Sequence, residues 1–142
     1  MTAVERFRKL AVKRGLAPGA LLDASPDDFN LLLVVLRREF ATERRYAEHE
    51  VNDVLKHWLQ SAGGMLAVDH IELRRWLVDL MILTRDAYGR EYSLAAVPPR
   101  LLQWDADSPH ADFSREFADA NARETQKRAA RKAAWQQTGT AA

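Results

Sequence analysis

The apolar positions of this chain fall into blocks whose period switches between helical and alternating. Phe29, Leu32, Leu33, Leu36 and Phe40 recur at helical spacing behind Ser25-Pro26-Asp27-Asp28. That spacing predicts a helix over about residues 26–40. Ser25 can cap it, Pro26 suits its first position, and the two Asp sit at the positive end of its dipole. Leu31 and Val35 lie on the opposite side and Val34 on a flank, so only Asn30, Arg37 and Arg38 form a polar strip. A helix apolar nearly all round is buried on more than one side. This one needs cover from a terminal helix or from a second subunit.

Arg45-Tyr46 reads as a short strand, and a second helix follows over about residues 47–59. Its core face is Val51, Val54, Leu55 and Trp58; Glu48, Glu50, Asp53 and Lys56 lie outside and Asn52 on the border. Gly63-Gly64 punctuates the next loop. A third helix starts with the Asp69-to-Glu72 capping pattern and reaches about Leu80. Leu73, Trp76, Leu77 and Leu80 form its core face, and Ile71, Arg74, Arg75 and Val78 point outward. Two short β-prone runs, residues 82–85 and 90–94, enclose a Gly-containing turn and read as a hairpin.

The flanks are helical and charged. Val4, Phe7, Leu10 and Ala11 make residues 2–14 amphipathic, with Arg6, Arg8, Lys9, Lys13 and Arg14 on the polar side, until Gly15 and Pro18-Gly19 break the pattern. After Pro98-Pro99, Leu101, Leu102 and Trp104 look like anchors for the linker. Ser108-Pro109 repeats the grammar of Ser25-Pro26 and predicts a last helix from Pro109 to about Trp135. Its apolar seam is thin: Phe113, Phe117 and Ala120, then mostly Ala. Its first half is acidic and its second half basic (Arg123, Lys127, Arg128, Arg131, Lys132). The closing residues 138–142 are expected to be disordered.

Together these elements predict a mainly α chain with a small β-hairpin, an α+β fold. It has a winged helix-turn-helix-like core and extra N- and C-terminal helices. The expected divisions are residues 1–24 as a basic helical segment, 25–96 as the winged-helix-like domain, and 97–142 as linker and C-terminal helix. The 142 residues suit one domain with extensions. A net charge of +1 supplies no global field toward polyanions, so any such attraction must come from local patches. There is no cysteine, which excludes disulfides, thiolate zinc sites and Cys nucleophiles. No apolar run approaches the roughly 20 residues of a membrane span, and the N-terminus lacks a signal-peptide core. A cytoplasmic protein with no membrane partner is expected.

Tyr46-Ala-Glu-His-Glu50-Val51-Asn52-Asp-Val-Leu55, then Leu73-Arg74-Arg75-Trp-Leu77-Val78-Asp79, then Arg85 and Gly89-Arg-Glu-Tyr92, resemble a bacterial family. It is the domain-of-unknown-function family 2087. The resemblance spans Phe29 to Leu94. It implies a winged-helix-like domain, found alone or behind an ArsR-type helix-turn-helix and loosely linked to transcription; it implies no established activity. Two positions depart from the family pattern. The usual Asp-Gly of the wing turn is Tyr88-Gly89, and the Gly that commonly follows the third helix is replaced as Leu80-Met81-Ile82 runs on.

The functional expectation is a DNA-binding, transcriptional-regulator-like protein without catalytic activity or cofactor. Arg74 and Arg75 on the third helix, with Arg85 and Arg90 at the hairpin, are the candidate contacts to double-stranded DNA, and a basic terminal segment would add phosphate contacts. Glu72 and Asp79 oppose this, and Arg75 with Asp79 also reads as an ordinary i,i+4 pair. The alternative is a protein-interaction module that does not bind DNA. Leu31, Val35, Ile71, Val78, Phe113 and Phe117 are its candidate interface, and a homodimer is the expected assembly. His49, Asp53 and His57 share a helix face at i, i+4, i+8; a solvated face explains them better than a metal, for lack of a further ligand. No phosphate-cradling Gly loop, nucleophile elbow or HExxH is present.

Overall fold

The structure is a computed structural model that describes residues 1–140, and local capping chemistry sets most of its element boundaries. Thr2 opens α1 (Ala3–Ala11): its hydroxyl accepts from the Glu5 N–H at 3.1 Å, and its own N–H donates to the Glu5 carboxylate at 3.2 Å. Pro18-Gly19, expected only to break α1, begins a helix of its own, α2 (Pro18–Ala24), with Pro18 at the first position. Ser25 caps α3 (Pro26–Arg37) by accepting from the Asp28 N–H, and turns carry the chain on to Phe40. Then come β1 (Arg45–Ala47), α4 (Glu48–Leu59), α5 (His70–Asp79), β2 (Leu83–Arg85) and β3 (Glu91–Leu94). A 3-10 turn (Pro99–Leu101), α6 (Leu102–Asp107) and α7 (Phe113–Thr140) complete the described chain.

The expected hairpin is present, and β1 joins it. The three strands form an antiparallel sheet in the order β1-β3-β2, with Tyr46 opposite Tyr92 and Thr84 opposite Ser93. From α3 on, the chain thus runs helix, strand, two helices and a hairpin whose last strand is central in the sheet. Tyr46, Val51, Leu55, Trp58, Leu73, Leu77, Ile82, Leu83 and Tyr92 are buried between α3, α4, α5 and the sheet. Trp76 and Leu80, placed in the core by spacing, are only half-buried; Trp76 meets Phe29 edge-to-face at 5.6 Å.

The junction of α5 with β2 explains the missing glycine. The Met81 N–H bonds the Val78 carbonyl at 3.1 Å and the Ile82 N–H the Leu77 carbonyl at 2.9 Å, with Leu77 and Ile82 both buried. This is a Schellman cap, which needs a left-handed residue at its turning point. Met81 takes that role at φ 60° with its side chain exposed.

The same chain covers the second face of α3. Leu31 and Val35, for which the sequence calls for cover from a terminal helix or a second subunit, are 0% and 1% exposed, packed under α1, α6 and the 3-10 turn. Arg6 pairs with Asp28 at 2.9 Å and lies over the Trp104 ring. Arg38 bonds the Ser108 and Asp105 carbonyls and lies over Phe113, which ties residues 101–113 to α3. Leu101 and Trp104 are buried anchors as expected, whereas Leu102 faces solvent because α6, an unexpected helix, turns it outward. One hydrophobic cluster runs from Ala3 to Ala120, so α1, α2, α6 and the first turns of α7 pack on the same core as residues 25–96.

The last helix starts later than its sequence grammar predicts. The Ser108 hydroxyl donates to the Trp104 carbonyl, so it closes α6; Asp112 instead accepts from the Arg115 N–H at the head of α7. Phe113 is buried edge-to-face on Phe7 at 4.9 Å, and Phe117 and Ala120 continue the seam along α1. The expected disorder of residues 138–142 is not found at 138–140, which continue the helix; Ala141 and Ala142 lie outside the described residues. Among the described residues, no helix is long and apolar enough to cross a membrane.

Candidate nucleic-acid interface

The exposed side of α5 and the adjoining hairpin form the site to which the sequence points. Asp69 accepts from the Glu72 N–H at 2.8 Å, and this cap fixes the start of the helix. From that start, Leu73 and Leu77 face the core, and the angular step of the helix sends Arg74, Arg75, Val78 and Asp79 toward the sheet and solvent. Arg74, Arg75, Val78 and Asp79 line one side of a groove whose other side is Arg85 and Tyr92.

Arg74 does not project outward as expected. Its guanidinium turns back onto α4, bonding the Asn52 side-chain oxygen and the Glu48 carboxylate at 2.9 Å, 6.0 Å from the centre of the Tyr92 ring. An arginine satisfied on both edges is a strut between α4 and α5, with no free edge for a base. Asn52, on the border of the α4 core face, is the neutral partner of this arginine. Arg75 and Arg85 behave differently. Both are exposed, and among the described residues neither guanidinium has an ion pair or hydrogen bond; the expected Arg75–Asp79 pair is not formed. Arg90 lies over the ring of Tyr88 at 5.9 Å, and Tyr88 is the most exposed aromatic of the hairpin tip.

The turn that presents these groups is held by Asp86. Its carboxylate accepts from the Arg90 N–H at 2.8 Å and the Glu91 N–H at 3.3 Å, while Gly89 takes φ 68°. These amides, the Arg90 N–H foremost, hold the Asp86 carboxyl below its ordinary range against the opposing effect of desolvation. Glu50, at the third position of α4, is likewise lowered, first by the Ala47 N–H and then by Arg44 at 2.8 Å.

The remaining candidate residues scatter. Ile71 is exposed on the outer face of α5, but Val78 is half-buried against the core and Leu31, Val35, Phe113 and Phe117 serve internal packing. They do not form one surface. His49, Asp53 and His57 are exposed on α4, and among the described residues no three His, Cys, Asp or Glu side chains are grouped to hold a metal.

A second basic surface, lined by none of the α5 or hairpin residues, lies in a groove between α1 and α7. Arg8, Lys9, Arg123 and Lys127 line it around Val12 and Ala120, with Glu124 its one carboxylate. Arg8 is held by Glu116 at 2.7 Å, which raises its already high pKa; among the described residues Lys9, Arg123 and Lys127 have no ion pair. Both charge runs are visible in the sequence, but more than a hundred residues separate them, and only the packing of α7 on α1 brings them together.

No curated protein and no solved structure matches the chain. The family model described as "Uncharacterized protein conserved in bacteria (DUF2087)" matches residues 23–94, from the end of α2 through the sheet, and so takes in α3, β1, α4, α5 and the hairpin. The chain therefore belongs to this bacterial family, the domain-of-unknown-function family 2087.

Proposed function

We propose that this protein binds double-stranded DNA through α5 and the β2–β3 hairpin, acting as a cytoplasmic regulator-like protein with no catalytic step. The supporting observation is the pair Arg75 and Arg85: two exposed guanidiniums on facing walls of one groove, without an ion pair among the described residues. Exposed arginines on the second helix of a helix-turn-helix and on its wing suit base edges and phosphates respectively. Arg90 at the hairpin tip adds a further phosphate contact. Glu72, outside the groove, repels phosphate, and Asp79 on the groove's own wall opposes it beside Arg75.

Repeated selection from a pool of random duplexes tests this reading. The expected result is enrichment of a short motif, lost on Arg75→Ala/Arg85→Ala. A pool that stays random with the wild-type protein overturns it. Exposed Ile71, in line with Arg75 on the outer turn of α5, favours a second reading, a protein-docking face. That reading expects no enrichment, together with a doubled mass in light scattering that Ile71→Asp abolishes.

A further inference from the structure

We propose that the α1–α7 groove, with the projecting end of α7, is a sequence-independent grip on the phosphate backbone of double-stranded DNA. It is a surface separate from α5 and does not rest on the reading of Arg75 and Arg85. Helix α7 packs on α1 through Phe113, Phe117, Ala120, Asn121 and the Arg8–Glu116 pair, in the turns that end near Glu124. Asn121 donates to the Ala11 carbonyl and accepts from Arg14, which closes the C-terminal end of α1. Beyond Glu124 every side chain described is exposed, so residues 125–138 extend roughly 20 Å past the body of the protein.

That projecting segment contains Lys127, Arg128, Arg131 and Lys132 and no Asp or Glu. At helical steps, Arg123, Lys127 and Arg131 fall on one line, and that line runs directly out of the groove already lined by Arg8 and Lys9. The result is a continuous basic track assembled from both ends of the chain. Beyond Ala120 the one large apolar side chain among the described residues is the exposed Trp135, with no apolar stripe around it, so a hydrophobic partner finds little to bury. Pairing of two α7 helices, the basic half of one on the acidic half of another, is disfavoured because the α7 carboxylates are engaged: Glu116 with Arg8, Asp119 with Arg115, and Glu124 with Arg128 and Arg131. A polyanion is the occupant that this surface complements, and the phosphate rails of duplex DNA present charge at about one per 1.7 Å of axis.

The test is binding of the full-length chain to a labelled random-sequence duplex, followed by fluorescence anisotropy over a series of salt concentrations. The variant is Lys127→Glu/Arg131→Glu, both exposed and both replaced by a good helix former, with far-ultraviolet circular dichroism as the folding control. Affinity is expected to fall about tenfold or more at low salt, equally for every duplex. The slope of log affinity against log salt is expected to become shallower by about 2, at about 0.9 per phosphate contact. Unchanged affinity and slope overturn the proposal. So does binding of a polyglutamate chain in place of the duplex, or a doubled mass that the charge reversal halves. A parallel titration of Arg75→Ala/Arg85→Ala separates the two surfaces. If that variant binds random duplex as the wild type does and no motif is enriched, the α5 reading fails while the groove stands.

Discussion

Arg74 and Arg75 are neighbours in sequence with opposite roles. One hundred degrees of helical rotation puts Arg74 against Asn52, Glu48 and the Tyr92 ring, and leaves Arg75 in solvent. Arg74→Ala is therefore expected to cost about 1–2 kcal/mol in urea denaturation, the worth of a part-buried charged hydrogen bond, and Arg75→Ala to leave stability within about 0.5 kcal/mol. Equal losses for the two would contradict the strut. Met81 is the other residue whose role is conformational. Its left-handed backbone at φ 60° strains any residue with a Cβ, while its exposed side chain gives little back. Met81→Gly should raise stability by about 1 kcal/mol, the usual penalty for a left-handed L-residue, visible as a higher urea midpoint at unchanged slope. A lower midpoint would show that the chain loses more entropy at Gly than it regains in strain.

At the scale of elements, the hairpin that presents Arg85 and Arg90 depends on one carboxylate. Asp86 has its pKa lowered in the folded state by the Arg90 N–H first, then by Glu91, Tyr88 and Gly89. A depressed carboxyl contributes stability above its ordinary, unfolded pKa and loses it as pH falls through the folded value. The turn should therefore loosen only in acid, below the ordinary carboxylate range, and not between neutral pH and that range. Amide hydrogen exchange at Arg90 and Glu91 should quicken as the pH is lowered through that window, after correction for the intrinsic rate. Asp86→Asn should flatten this dependence, and a turn equally protected at both ends of the window would exclude Asp86 as its clasp. The helices themselves were legible where apolar spacing and a cap agreed, as at Ser25 for α3 and Asp69 for α5. Helices α2 and α6 were not, because each is about two turns long and too short to show a period. The start of α7 was misplaced because Ser108 and Asp112 both offer cap chemistry, and only the packing of Phe113 on Phe7 selects Asp112.

Across the whole molecule, the three segments fold on a common core. The apolar second face of α3 required a partner on sequence grounds, and α1, α6 and the 3-10 turn supply it from the same chain. Leu31→Asp or Val35→Asp should therefore unfold the protein rather than dissociate an oligomer. A carboxylate buried without a partner costs about 3–5 kcal/mol, a large part of a domain's stability. The expected readout is loss of the cooperative thermal transition in circular dichroism. A variant that melts as before but halves its mass would place the cover of α3 in another subunit.

Periodicity, caps and turn residues alone determined the order of α1, α3, β1, α4, α5, the hairpin and α7, the α+β class and the family, because each is written in neighbours within a few positions of one another. Side-chain direction and long-range company were decided only in three dimensions. Arg74 turned inward because Glu48 and Asn52 stood one helix away. Leu31 and Val35 were covered because α1, α6 and the 3-10 turn pack over α3. The basic runs of α1 and α7, more than a hundred residues apart, became one surface because Phe7 and Phe113 pack together, a contact that no local pattern encodes.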